Sequence, residues 1–127
     1  MFEHASNTKK QGDIGEARAV YEYTRLGWVV CTPLCDSAKY DLIIERDGEI
    51  KRVQVKTSSY SRDGKYEVHL ATLGGNQSYK TSRNRKDGDY DELFVLVDSG
   101  DCWMVPADLL KRTKVTISSS KFDEFKV

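Results

Sequence analysis

The chain has 127 residues, with Lys plus Arg and Asp plus Glu at 20 each, so its formal net charge is zero. That length suits one domain with its own core and argues against two, and the even balance of charge removes any molecule-wide basic field, leaving contacts with nucleic acid to local clusters. No apolar run approaches the ~20 residues that span a bilayer, and MFEHASNTKK has neither the apolar centre nor the cleavage site of a signal peptide; a soluble, cytoplasmic protein without a membrane partner is expected.

Residues 1–10 are polar and are expected to be loose, with Lys9 and Lys10 free to meet phosphates. A helix is predicted from Ile14 to Leu26, because Asp13 followed by Glu16 resembles a capping box and Gly27 supplies a stop. At 100° per residue Ile14, Ala17, Val20, Tyr21 and Thr24 form the expected buried arc, with Glu16 at its edge. Glu16 thus has two readings, a cap partner or an acid that looks toward a sheet. Trp28 to Cys31 reads as a short strand ended by Thr32-Pro33. Asp36, in the loop CDSAK, suits a local turn better than a ligand role. The three cysteines, Cys31, Cys35 and Cys102, form no CxxC pair and fit buried free thiols in a reducing compartment better than a zinc site shared with His69.

The stretch YDLIIERDGEIKRVQVKT, residues 40–57, is a hairpin signal: two β-rich runs, Tyr40 to Glu45 and Ile50 to Thr57, flank Asp47-Gly48, which supplies positive φ. With those two as the turn, Glu45 faces Ile50, Ile43 faces Arg52 and Asp41 faces Gln54. Alternation then places Asp41, Gln54 and Lys56 in one polar patch, and Tyr40, Leu42, Ile44, Val53 and Val55 on the apolar face. A carboxylate, an amide oxygen and the Val55 carbonyl are hard ligands that suit Mg²⁺, and an adjacent ammonium can position a water or offset charge on a phosphorane. The alternative from spacing alone is a mixed-charge surface hairpin.

Beyond Thr57, Ser58 or Ser59 is placed to contact a phosphate, 61–65 reads as a turn, and Tyr66 to Leu70 as a strand carrying His69, which stays unassigned. Residues 74–90 are long for a loop and hold a local basic cluster, Lys80, Arg83, Arg85 and Lys86, with Tyr79 able to stack; either phosphate contacts or a solvated loop fits them. Leu93 to Val97 is apolar throughout and predicts a strand buried on both faces. A second hairpin through 98–101 leads into Cys102 to Val105, then Pro106 opens a short helix and Val115 to Ile117 forms a strand. The tail SSSKFDEFKV, with two phenylalanines, is expected to dock on its own domain or on a partner subunit. The whole is read as a single domain, 1–127, with residues 111–127 as a C-terminal extension.

Asp41, then Gln54-Val55-Lys56, preceded by Gly15-Glu16 in GDIGEA, resembles the PD-(D/E)XK nuclease superfamily over about residues 9–110, most closely the small branch with intron-encoded homing endonucleases and also archaeal Holliday-junction resolvases. The resemblance implies an α/β fold with a restriction-endonuclease-like core: a mixed sheet of about five strands, helix 1 on one face and a second helical segment on the other, part of 76–86 included. It implies Asp41, Gln54, Val55 and Glu16 around Mg²⁺, with Mn²⁺ able to substitute, Lys56 as the motif lysine, and no organic cofactor. Two departures stand out: Ala38-Lys39-Tyr40 replaces the proline before the aspartate, and Gln54 stands where most members carry an acid, which removes a negative charge. The expected function is DNA endonuclease activity of the homing type, with a junction resolvase and a non-catalytic nucleic-acid-binding module as alternatives. One site cuts one strand, so a symmetric homo-oligomer is expected on DNA.

Overall fold

Asn7 starts the helix: its side chain accepts a hydrogen bond from Lys10 N at 2.8 Å, and α1 runs Thr8–Arg25. In the computed structural model, which describes residues 1–70, 88–110 and 113–127 and the backbone of 72–73 and 82–83, the helix thus begins earlier than Asp13 and Glu16 suggested. Those two acids lie inside it and form no capping box. Gly27, with φ 91°, ends it as expected. The buried arc is also rotated from the expected one: Gly15, Ala19, Glu22 and Tyr23 face inward, while Val20 and Tyr21 are exposed.

The reason is closeness of approach. A Cβ at Gly15 would run into Thr57 Cγ2 and lie 3.3 Å from Val55 Cγ1, so the helix docks through its smallest residues instead of its bulkiest. Gln11 Nε2 donates to Thr57 Oγ1 at 3.0 Å and fastens the same contact. Buried Glu22 is offset by Arg18 and Arg25, with N–O distances of 3.0 and 2.7 Å. The first residues are not loose: Phe2 is buried in the core beside α1, and its N–H donates to Asp98 Oδ1 at 3.0 Å.

The main sheet has five strands: β1 Val29–Cys31, β2 Leu42–Arg46, β3 Glu49–Ser58, β8 Glu92–Val97 and β9 Cys102–Pro106, in the spatial order β1-β2-β3-β8-β9. Only the β3–β8 pair is parallel, so the sheet is mixed. The β2–β3 register is the one expected, Ile43 opposite Arg52 and Glu45 opposite Ile50, because Asp47 (φ 53°) and Gly48 (φ 84°) make the two-residue turn. In β8, Phe94 and Leu96 meet the helix side, where Tyr23, Leu42, Ile44 and Val53 lie. Leu93, Val95 and Val97 fill the opposite side with Trp103 and Ile117. All five residues 93–97 are fully buried, as their apolar run requires.

Among the described residues that second face is covered by a three-stranded sheet, β10-β5-β4; residues 76–81 and 84–86, where the resemblance implied part of a second helical segment, lie outside the described residues. The small sheet comprises β4 Ser61–Arg62, β5 Lys65–His69 and β10 Lys114–Thr116. A 3₁₀ turn at Ala107–Leu109 and another at Ser120–Phe125 complete the layer, the latter burying Phe122 and laying Phe125 on the core, so the tail docks on its own fold. Two short strands, β6 Thr72–Leu73 and β7 Ser82–Arg83, pair antiparallel, and β7 lies within 74–90, the stretch read as a long loop.

Candidate active site

The hairpin delivers its polar end to one point. Asp41 N donates to Val53 O at 2.8 Å, which fixes its backbone at the mouth of β2 beside β3. Its carboxylate then turns onto β3: Oδ2 accepts from Val55 N at 2.8 Å and from Gln54 Nε2 at 2.9 Å. The Gln54 nitrogen also stands 3.5 Å from Val55 O. The Asp41 carboxylate, the Gln54 amide and the Val55 carbonyl therefore lie together, with the amide nitrogen turned to the two oxygens. Tyr40, one residue upstream, packs on the core opposite α1 and not with Leu42 and Ile44, because β2 begins only at Leu42 and strand alternation does not reach back past Asp41.

Glu16 comes from the helix. Gly15 lets α1 lie on β3, and the next residue lines a cavity of about 240 Å³ with Asp41, Tyr40 and the loop residues Leu34, Cys35 and Asp36. Burial of the carboxylate, then the nearby negative charges of Asp41 and Asp13, push the Glu16 pKa up. Burial likewise raises that of Asp41, against the opposing pull of the Val55 N–H and the Lys56 ammonium. Lys56 is lowered by burial, partly offset by Asp41. Acids held above their ordinary range beside a lysine held below its own form a group whose charges are under strain.

This is a fit for a hard divalent cation. Two carboxylates, an amide and a carbonyl offer the oxygen donors Mg²⁺ takes, and a cation offsets the Asp41 charge that adds to burial in raising Glu16. Among the described residues no group of three or more His, Cys, Asp or Glu side chains is placed to hold a metal, so a cation here depends on Gln54 and the Val55 carbonyl beside the two acids. The cysteine and histidine alternative does not assemble: Cys102 is buried on the α1 side, Cys31 and Cys35 are exposed, and His69 lies on β5.

Other expected contacts divide. Lys9 and Lys10 are exposed in the first turn of α1, and Lys9, seven residues before Glu16, lies on the same side of the helix about 10 Å away along its axis. Ser58 is not a phosphate contact: it is buried, and its hydroxyl donates to Glu67 O at 2.6 Å, tying β3 to β5. Tyr79, Lys80, Arg85 and Lys86 lie outside the described residues, and Arg83 is described only by its strand backbone. Sequence reasoning passed over Gln11 and left His69 unplaced; both line a cleft of about 320 Å³ with Lys56 and Tyr60. The signal for Gln11 is its place one turn before Gly15, visible only once the helix is known to start at Thr8.

Three likenesses bear on this geometry. A family model described as PD-(D/E)XK endonuclease matches residues 6–124. Protein 5.3 of Escherichia phage T7 is 34% identical over 88 residues, 68% of this chain and 70% of that protein. A bacterial homing endonuclease, I-Ssp6803I, has a similar fold, with a TM-score of 0.80 over 95% of this chain and 89% of that one at 23% identity. A helix seated on a mixed sheet is thus a fold shared with a solved structure, and the chain belongs to the PD-(D/E)XK endonuclease family.

Proposed function

We propose that the protein is a divalent-metal-dependent endodeoxyribonuclease of the homing type that uses Mg²⁺, with Mn²⁺ as a substitute. The observation that carries this reading is the convergence of Asp41 Oδ2 and Val55 O within 3.5 Å of the Gln54 amide nitrogen. Asp41, Glu16, Gln54 and Val55 O hold the cation, with the Gln54 amide turned so that its oxygen faces inward. When bound, the cation polarises the phosphodiester and eases deprotonation of a water. Lys56, kept low in pKa by burial, orients that water or takes its proton, and the Lys9 and Lys10 ammonium groups steer the backbone toward Glu16.

A homing activity implies a long duplex site and two copies of the chain, one for each strand, in a cytoplasmic setting that suits the exposed thiols of Cys31 and Cys35. A non-catalytic DNA-binding module is the second reading, favoured by the Gln54 N–H that already satisfies Asp41. Cleavage of supercoiled plasmid in Mg²⁺, lost in Asp41→Ala and Lys56→Ala alike, supports the nuclease; DNA binding without any cut in Mg²⁺ or Mn²⁺ supports the module.

A further inference from the structure

Away from the acids, a groove of about 530 Å³ opens on the three-stranded sheet and its 3₁₀ neighbour, lined by Lys65, Lys114 and Lys121 with the hydroxyl residues Thr113, Thr116 and Ser119. No acid lines it among the described residues. None of the three ammonium groups forms an ion pair with a described carboxylate, and Lys121 Nζ instead stands 5.4 Å from the centre of the Phe122 ring. Three lysines with no acid beside them in the groove make a local positive patch in a chain with no net charge, the electrostatic footprint that a polyanion fits.

The groove and the cleft of Lys56 have neighbouring lining residues. His69 lines that cleft, and Lys114 is its direct partner across the β5–β10 ladder. From His69 back along β5 to Lys65 is four residues, about 13 Å of strand, or roughly four phosphates of one DNA strand measured along the helix axis. Glu67, the acid between them on β5, lines the Lys56 cleft and not the lysine groove.

We propose that this face is a second DNA contact, a platform on which Lys65, Lys114 and Lys121 neutralise backbone phosphates of duplex leading away from the cut, with Thr116 and Ser119 as hydroxyl partners. The placement relative to a cut rests on the nuclease reading of Asp41 and Lys56; the binding does not. The contact is to the backbone, so it adds affinity and register without reading sequence.

The test is binding of a fluorescent duplex of about 30 base pairs of arbitrary sequence, in EDTA, across a salt series, with the wild-type protein and the triple variant Lys65→Ala, Lys114→Ala, Lys121→Ala. Each phosphate contact contributes about 0.9 to the slope of log affinity against log salt, so loss of three flattens the slope by about 2.7. Over a fourfold rise in salt the wild type then loses about 40-fold more affinity than the variant. The triple arginine variant keeps the wild-type slope, which separates loss of charge from loss of fold. An unchanged slope in a folded alanine variant overturns the platform, as does a variant whose only change is in sedimentation, which makes the face a contact between copies. Plasmid cutting in Mg²⁺ is scored separately: a flattened slope in a chain that never cuts keeps the platform and removes the nuclease, and cutting with an unchanged slope does the reverse.

Discussion

Asp41 Oδ2 takes both the Val55 N–H and the Gln54 amide, and burial still leaves its carboxyl harder to ionise than usual, so the site keeps this charge against its surroundings. Replacing Asp41 or Lys56 by Ala lowers metal-dependent cleavage by at least about 10²–10³-fold, the loss typical of one preorganised electrostatic group, as read by single-turnover rates. Lys56 gives a pH test. Burial lowers its pKa, so its neutral form gains population below the ordinary lysine range, and if that amine takes the proton the cleavage rate rises with pH and levels off below 10.5. Lys56→Arg, charged at all accessible pH, removes the rise. Glu16 gives a stability test with the opposite sign. Its folded pKa is raised, so its contribution to stability is fully present below the unfolded value of 4.5 and is lost as pH rises through the folded value. Glu16→Gln is therefore more heat-stable than wild type at neutral pH without metal and shows no advantage below pH 4.5, as thermal melts at the two pH values will show.

At the level of elements, the site depends on how closely α1 lies on β3. Gly15→Ala places a methyl against Thr57 and Val55, costs about 1–3 kcal/mol in urea unfolding, and lowers cleavage by moving Glu16 away from Asp41. The hairpin was legible because Asp47-Gly48 fixes a register that alternation then extends to Arg52 and Gln54, and the apolar run 93–97 announced a strand buried on both sides. The helix start was not. Asp13 and Glu16 have the spacing of a cap, yet Asn7 caps first, and only the packed partner shows that small residues instead of large ones face the sheet. Ser58 looked like a phosphate ligand for the same reason: its exposure depends on β5, which lies next to β3 only after folding. Of the candidate site, alternation alone groups Asp41, Gln54 and Lys56 and the resemblance adds Glu16, whereas the lysine groove assembles from β5, β10 and the tail and has no local signature.

Across the whole molecule, among the described residues, α1 covers one face of the sheet and the small sheet and tail cover the other. Phe94, fully buried against Tyr23 at a ring separation of 5.9 Å, anchors the α1 side; Phe94→Ala lowers unfolding stability by about 3–5 kcal/mol in urea. A single site of this kind cuts one strand, so double-strand cutting is expected to come with a dimer or larger symmetric assembly on DNA, visible by sedimentation. The central claim is cleavage itself. The measurement that tests it most directly is Mg²⁺-dependent cutting of supercoiled plasmid and of a synthetic four-way junction by wild type beside Asp41→Ala. Cuts at one or a few plasmid sites that vanish in Asp41→Ala and in EDTA are the predicted result; equal cutting by both proteins, or none on either substrate in Mg²⁺ or Mn²⁺, contradicts it.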